Sequence, residues 1–390
     1  MRIVVAPDSF KGSLSSIEVA NAMEEGILSV FPDAQVIKVP IADGGEGTTE
    51  SLVKATRGRF MNNKVIGPLG NLVEACWGIL GDEQTAVIEM AAASGLTLIA
   101  TGERNPLITT TYGTGQLIKA ALDHGIRKLI IGIGGSATND GGAGMARALG
   151  IKFLDSSGNE LPNGGAALRD LEKINCTELD PRLAETTILV ACDVDNPLCG
   201  VRGASAVYGP QKGATPAMVE ELDQALKHYS LIAKVTTGKD VAEYPGAGAA
   251  GGLGAGLMIF ASAQLKPGVE IVLEATNFEE KVKHADVVIT GEGRTDFQTA
   301  HGKAPVGVAS LAQNYNVPTI CISGGLGTGY EDVLQKGIKG LMSIVSQPMT
   351  LEECMDSAGE LVKAATSRLC QLIHVGMTIG SGISRTNDDA

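Results

Sequence analysis

Apolar residues follow two rhythms along this chain, short unbroken runs and amphipathic stretches, and their alternation predicts a parallel α/β protein. Residues 2–6 form a β-branched run ending at Pro7, as a buried strand does. Ser15 followed by Glu18 has capping-box spacing, and Ile17, Ala20, Met23 and Ile27 mark one face of a helix that stops before Pro32. Residues 36–41 predict a second strand, which runs into Ala42-Asp43-Gly44-Gly45-Glu46-Gly47 and then a helix from residue 49 to 56. Strand, loop and helix in this order build a parallel sheet. The same grammar returns in the apolar runs 286–290, 317–323 and 340–345. Between the two ends the texture changes. Residues 63–87 predict antiparallel strands, 128–133 and 187–192 further strands, 216–234 a long helix, and 246–256 form a Gly/Ala-rich stretch. The pattern predicts a discontinuous first domain, 1–62 with 285–390, and a second α/β domain, 63–284, inserted in it.

Composition narrows the partners. A chain of 390 residues exceeds what one core usually serves, and 44% apolar against 19% charged residues places it among globular proteins. A net charge of −13 lacks the basic footprint that nucleic acid requires. Seven Cys without a CxxC pair indicate neither a disulfide framework nor a zinc ribbon, and suit the reduced cytoplasm. No signal peptide and no membrane-spanning run are expected. The 51 glycines, without a collagen period, imply tight turns and close backbone approaches.

In open α/β sheets ligands bind beyond the carboxyl ends of the strands. Asp8, Asp43, the pair Asp193 and Asp195, and Glu292 with Asp296 all follow predicted strands. Each alone has an ordinary alternative as a helix cap or turn residue, but together they suit Mg²⁺, which takes one or two carboxylates and leaves the rest to phosphates and water. Alternation along an extended chain would point Asp193 and Asp195 the same way. Lys11, Arg294 and Lys303 stand near these acids, where a transferring phosphoryl group needs compensation, with surface salt bridges as the alternative. The loop Gly132-Ile133-Gly134-Gly135-Ser136-Ala137-Thr138-Asn139-Asp140-Gly141-Gly142-Ala143-Gly144 can bring backbone N–H groups and a helix start to phosphate oxygens. It also fits G-x-G-x-x-A, with Asp155 near the ribose-acid distance, so a nicotinamide-dependent reductase is a second reading. The P-loop and protein-kinase signatures are absent.

APDSFKGSLS from Ala6, IADGGEGT from Ile41, AVIEMAAASGL from Ala86, GIGGSATNDGGAG from Gly132, ACDVDNPLCG from Ala191, GPQKGAT from Gly209, ITGEGRTD from Ile289 and GKAPVGVA from Gly302 together resemble the bacterial type 1 glycerate kinases. That resemblance implies Mg²⁺-dependent phosphoryl transfer from ATP to D-glycerate in the cytoplasm, with 2-phosphoglycerate preferred over 3-phosphoglycerate as product. It also implies a flavodoxin-like domain with an inserted α/β domain and an active site in the cleft between them. On this footing Gly134, Gly135, Ser136, Thr138, Asp140 and Lys303 are the expected nucleotide-binding residues. Lys11, Asp43, Asp193, Arg294 and Asp296 are the expected catalytic set, and Asp193 with Asp195 the expected metal ligands.

Overall fold

In the computed structural model, which describes residues 1–42 and 44–387, the strands are β1 (Arg2–Pro7), β2 (Gln35–Lys38), β3 (Arg59–Ile66), β4 (Leu72–Ile79), β5 (Thr85–Glu89), β6 (Lys128–Gly132), β7 (Lys152–Leu154), β8 (Lys173–Asn175), β9 (Thr187–Ala191), β10 (Gln264–Lys266), β11 (Val287–Thr295), β12 (Thr319–Leu326) and β13 (Ile338–Ser343). The chain divides into two units, Met1–Ala42 with Val272–Ala390, and Asp43–Ile271.

The first unit holds a parallel sheet in the order β13-β12-β11-β1-β2. Counted within the unit this is 2-1-3-4-5, the flavodoxin-like order, whose switch point lies between β1 and β11. Ser15 and Glu18 form the predicted capping box on helix Ser16–Leu28. Val19, Met23 and Ile27 of that helix share a core with Ile3, Val5, Ile289, Val362 and Leu369. Gly26 lets helix Ala358–Asn387 come close, since a Cβ there would stand 2.5 Å from the Lys363 carbonyl oxygen.

The second unit holds a mixed sheet in the order β10-β9-β6-β5-β4-β3 and a small β7-β8 pair. β3, β4 and β5 are antiparallel; β5, β6, β9 and β10 are parallel. The first break in the chain falls at 42/43, not at 62/63, because β3 begins at Arg59 and pairs along its length with β4. Helix Thr48–Thr56 belongs to the same side of the break: Val53 packs so tightly over Gly78 that a Cβ on Gly78 would lie 2.2 Å from a Val53 methyl. The second break, 271/272, lies inside helix Gly268–Ala275.

The Gly/Ala-rich stretch becomes the segment Ala249–Ala261, a buried helix entered through a left-handed kink at Ala250, Gly251 and Gly252 (φ 54°, 69° and 87°). The kink presses its backbone onto the loop after β6. Gly141 N–H donates to Gly251 O at 3.0 Å, and a Cβ on Gly251 would stand 1.9 Å from Thr138 O. Replacing Gly251 with Ala is therefore expected to destabilise the fold by about 3 kcal/mol or more, the scale of forced overpacking added to left-handed strain. Gly70→Ala, also left-handed at φ 88° but with nothing within 4 Å of the new methyl, should cost only about 1 kcal/mol. Urea denaturation of the two variants checks this; equal midpoints would refute the contact argument.

Candidate functional site

In the second unit three parallel strands end level with one another. Glu89 of β5 pairs with Gly132 of β6, which pairs with Ala191 of β9. The segment from Gly44 lies across these ends. Gly44, at φ 83°, passes so close that a Cβ there would stand 2.3 Å from the Ala191 Cβ, while one on Gly132 would stand 2.5 Å from Gly44 O. Glu89 ties the same segment down by accepting from Thr49 N at 2.6 Å, at the start of a helix whose N-cap, Gly47, has no side chain to offer. Burial raises the Glu89 carboxyl above its usual range, against the opposing pull of the Thr49 and Gly47 hydrogen bonds.

Beyond Gly132 the loop exposes Gly134 and Gly135, the latter at φ 72°, and buries Ser136, Thr138 and Asp140. Asp140 accepts from Thr111 N (2.8 Å), Thr111 Oγ1 (2.9 Å), Gly142 N (3.1 Å) and Gly144 N (3.2 Å). Met145 N donates to Thr111 Oγ1 at 2.9 Å. The first turn of the short helix Ala143–Ala148 is thus closed by the protein's own side chains. The helix start is occupied by the protein's own groups, and Asp140 is a buried bracket of the loop. Desolvation raises its carboxyl, and those same hydrogen bonds oppose the rise.

A residue that the sequence reading passed over completes this cluster. Lys212, on the turn Pro210–Lys212, is almost wholly buried and donates to Ser136 Oγ at 2.8 Å and to Thr138 O at 2.6 Å. Its signal was present in GPQKGAT, a lysine among turn formers, but nothing local says that the turn folds under a loop more than seventy residues away. Thr138 Oγ1 and Asn139 Oδ1 are buried beside it without hydrogen-bond partners.

The paired carboxylates after β9 are not held as a pair. Extended structure ends at Ala191, and the last ladder bond is Cys192 N to Lys266 O at 3.0 Å. Asp193 accepts from Gly268 N at 2.9 Å, at the start of helix Gly268–Ala275. Asp195, exposed, is held by Arg202 through contacts of 2.8 and 2.9 Å. The expectation of a shared pair is corrected accordingly: once the strand ends, alternation no longer governs, and each carboxylate finds its own donor. Among the described residues no group of three or more His, Cys, Asp or Glu is placed to hold a metal ion.

In the first unit the candidates gather at the switch point. Pro7 of β1 pairs with Gly291 of β11, and Asp8 N–H donates to Gly291 O at 2.8 Å. The following turn carries exposed Lys11, whose backbone N lies within 3.5 Å of the Cβ position of Gly293. β11 runs to Thr295, in register with Leu326, so Glu292 and Arg294 stand in the strand and not, as expected, in a loop after it. Gly324 allows this continuation, because a Cβ there would meet Gly293 O at 2.3 Å. Arg294 projects outward with its Nε 3.5 Å from Asp296 Oδ2, and Asp296 also accepts from Gln298 N at 3.0 Å. Glu292 is buried, accepting from Thr299 Oγ1 (2.6 Å) and Thr295 Oγ1 (3.0 Å). Burial raises its carboxyl, opposed by the Thr299 bond and by the charge of Lys303, the exposed N-cap of helix Ala304–Gln313. Asp43 lies outside the described residues.

The dinucleotide reading does not survive. The chain after the loop passes into β7, which is antiparallel to β8 in a separate two-stranded sheet, and Asp155 accepts from Ser157 N (2.8 Å) and Asn159 N (2.9 Å) in an exposed turn. A βαβ unit needs a parallel return to the same sheet. Among the described residues no helix is long and apolar enough to cross a membrane.

The glycerate kinase family model matches residues 3–374. A glycerate kinase from Bacillus subtilis is 54% identical over 379 residues, covering 97% of this chain and 99% of the relative. A glycerate 2-kinase from Escherichia coli is 52% identical over 377 residues, with the same coverage of 97% and 99%. A crystal structure from Salmonella typhimurium LT2, ascribed to glycerate kinase 2, superposes with a TM-score of 0.87 at 49% identity, covering 97% of this chain and 99% of that one. The chain belongs to the glycerate kinase family.

Proposed function

We propose that this protein transfers the γ-phosphoryl group of ATP to the 2-hydroxyl of D-glycerate, giving 2-phosphoglycerate and ADP in the cytoplasm. The observation that carries the reading is positional. Five of the eight segments by which the chain resembles its family run over the carboxyl ends of β1, β5, β6, β9 and β11, where parallel sheets bind ligands. The 52% identity to a glycerate 2-kinase supports the 2-position. Seven free thiols suit a reducing compartment.

Phosphoryl transfer asks for alignment and charge compensation more than for covalent chemistry. Exposed Gly134 and Gly135, with Ser136 and Thr138 beside them, cradle the ATP phosphates; no Cβ blocks the approach at the two glycines. Lys11 and Arg294 meet the glycerate carboxylate and the transferring phosphoryl group, and Asp296 keeps the guanidinium oriented. Lys303 adds positive charge at the nucleotide's outer phosphates. Asp193 is the hard oxygen donor of the second unit that fits Mg²⁺, an ion that takes most of its ligands from phosphates and water. Were Mg²⁺ bound, Asp193 would be its protein ligand and the ion would supply positive charge against the phosphate oxygens.

Incubation with ATP, Mg²⁺ and D-glycerate should give a product whose proton-coupled ³¹P signal is a doublet, because C2 bears one hydrogen. A triplet would place the phosphate on C3, and ATP hydrolysis without a phosphoester would remove the proposal. Lys11→Ala and Arg294→Ala should each lose about 2–5 kcal/mol of transition-state stabilisation in kcat/KM. Arg294→Lys should restore only part of it, for lack of a planar fork; wild-type kinetics in both Ala variants would return these cations to surface ion pairs. Asp193→Asn keeps the Oδ1 that accepts from Gly268 N, so its thermal midpoint should stay near wild type while turnover collapses. Asp195→Asn should leave the Mg²⁺ concentration for half-maximal rate unchanged, since its carboxylate serves Arg202. An active Asp193→Asn enzyme would overturn the assignment.

A further inference from the structure

Among the described residues Lys212 is the lysine that is fully buried, 1% exposed, and the roles above make no use of it. Its turn is seated tightly. Lys212 N–H donates to Gly209 O at 2.9 Å, and Gly213, at φ 93°, packs so close that a Cβ would stand 2.5 Å from Arg104 O. Two of the three ammonium hydrogens are spent on Ser136 Oγ and Thr138 O. Because the Ser136 oxygen accepts one of them, the hydroxyl's own hydrogen is left to donate, polarised by the adjacent charge. Ser136 is buried but next in sequence to exposed Gly135, so the donor lies beside the open part of the loop.

We infer that Lys212 is the charged positioning residue of the phosphate loop: from beneath, it fixes Ser136 and Thr138, turns the Ser136 hydroxyl into a donor, and supplies the loop with positive charge that its glycines lack. This rests on reading the loop as the ATP phosphate site. The charge of a lysine so placed depends on pH. Burial pulls Lys212 down to about 7, against the opposing charge of Asp140. The other ionisable groups around it are Tyr229, whose hydroxyl donates to Gly141 O at 3.0 Å and which burial keeps protonated, and Arg104, whose guanidinium donates to Gln211 O at 3.3 Å. A phosphate above the loop adds negative charge and raises Lys212, so binding takes up a proton wherever the free protein has lost it. Nucleotide affinity is then full below about pH 7 and falls as pH rises above it.

The test is calorimetric titration of the full-length protein with ADP near pH 8, where the nucleotide phosphates are already ionised, in two buffers of different ionisation enthalpy. Wild type should take up a substantial fraction of a proton. Lys212→Met should bind ADP about tenfold more weakly, the effect of losing one charge contact worth about 1.4 kcal/mol, and raise KM for ATP while KM for glycerate stays put. Lys212→Arg should keep most of the affinity, with no proton uptake and a flat pH profile. No proton uptake by wild type, or wild-type ADP affinity in Lys212→Met, would overturn the inference; should Lys212→Met not fold, the wild-type measurement decides. Gly134→Val separates the two levels. If it loses ADP binding while Lys212→Met does not, only the role of Lys212 fails, and if it binds ADP normally the reading of the loop fails with it.

Discussion

Gly44 lies where a Cβ would stand 2.3 Å from Ala191, Gly132 where one would stand 2.5 Å from Gly44 O, and Gly251 where one would stand 1.9 Å from Thr138 O. Each is backbone approaching backbone, or a strand end, more closely than any side chain allows. The second unit's candidate site depends on this. Its loops can stack over level strand ends and still leave Gly134 and Gly135 open only because glycines occupy the contacts behind them. The kinked entry to Ala249–Ala261 then supports the loop from the other side through Gly251 and its bond to Gly141. The glycine excess seen in composition is thus spent on packing surfaces against one another as much as on turns.

Local sequence carried the elements well where the signal was local. The capping box at Ser15 and Glu18, the strand leading to Pro7, and the helix opened by Thr215 before Pro216 all follow from short-range hydrogen bonding and periodicity. It carried less wherever a partner came from far along the chain. β11 outruns its apolar core at Thr290 because β12 supplies Gly324 and Gly325 opposite Gly293 and Arg294, and no pattern inside 286–296 reveals that. Asp140 is bracketed by the Thr111 side chain, which lies 29 positions away. Lys212 is the same case with a separation of 76. The return of strand-helix grammar at the C-terminus is a local signal, whereas the placement of β3 is set by the strand it pairs with and not by its own residues.

The two units handle negative charge by different means. In the first, Lys11, Arg294 and Lys303 are exposed cations; pairs such as Arg294 with Asp296 contribute little while solvated and gain strength only when water is excluded. In the second, the charge is internal. Asp140 and Lys212 are both buried, their carboxyl and amine are displaced in opposite directions by the same desolvation, and each is held by hydrogen bonds from the loop itself.

On the proposed reading, that difference matches what each anion requires. A carboxylate or a moving phosphoryl group changes position and charge during reaction, and long flexible side chains can follow it. The α- and β-phosphates of a nucleotide stay fixed, so a rigid loop with donors set in advance gains most by losing no side-chain entropy when the ligand arrives. A net charge of −13 sharpens the point. A chain so acidic does not attract polyanionic substrates through its overall field, so local donors must supply the attraction. On the proposed reading, backbone N–H groups and one buried lysine would do so without adding a basic surface.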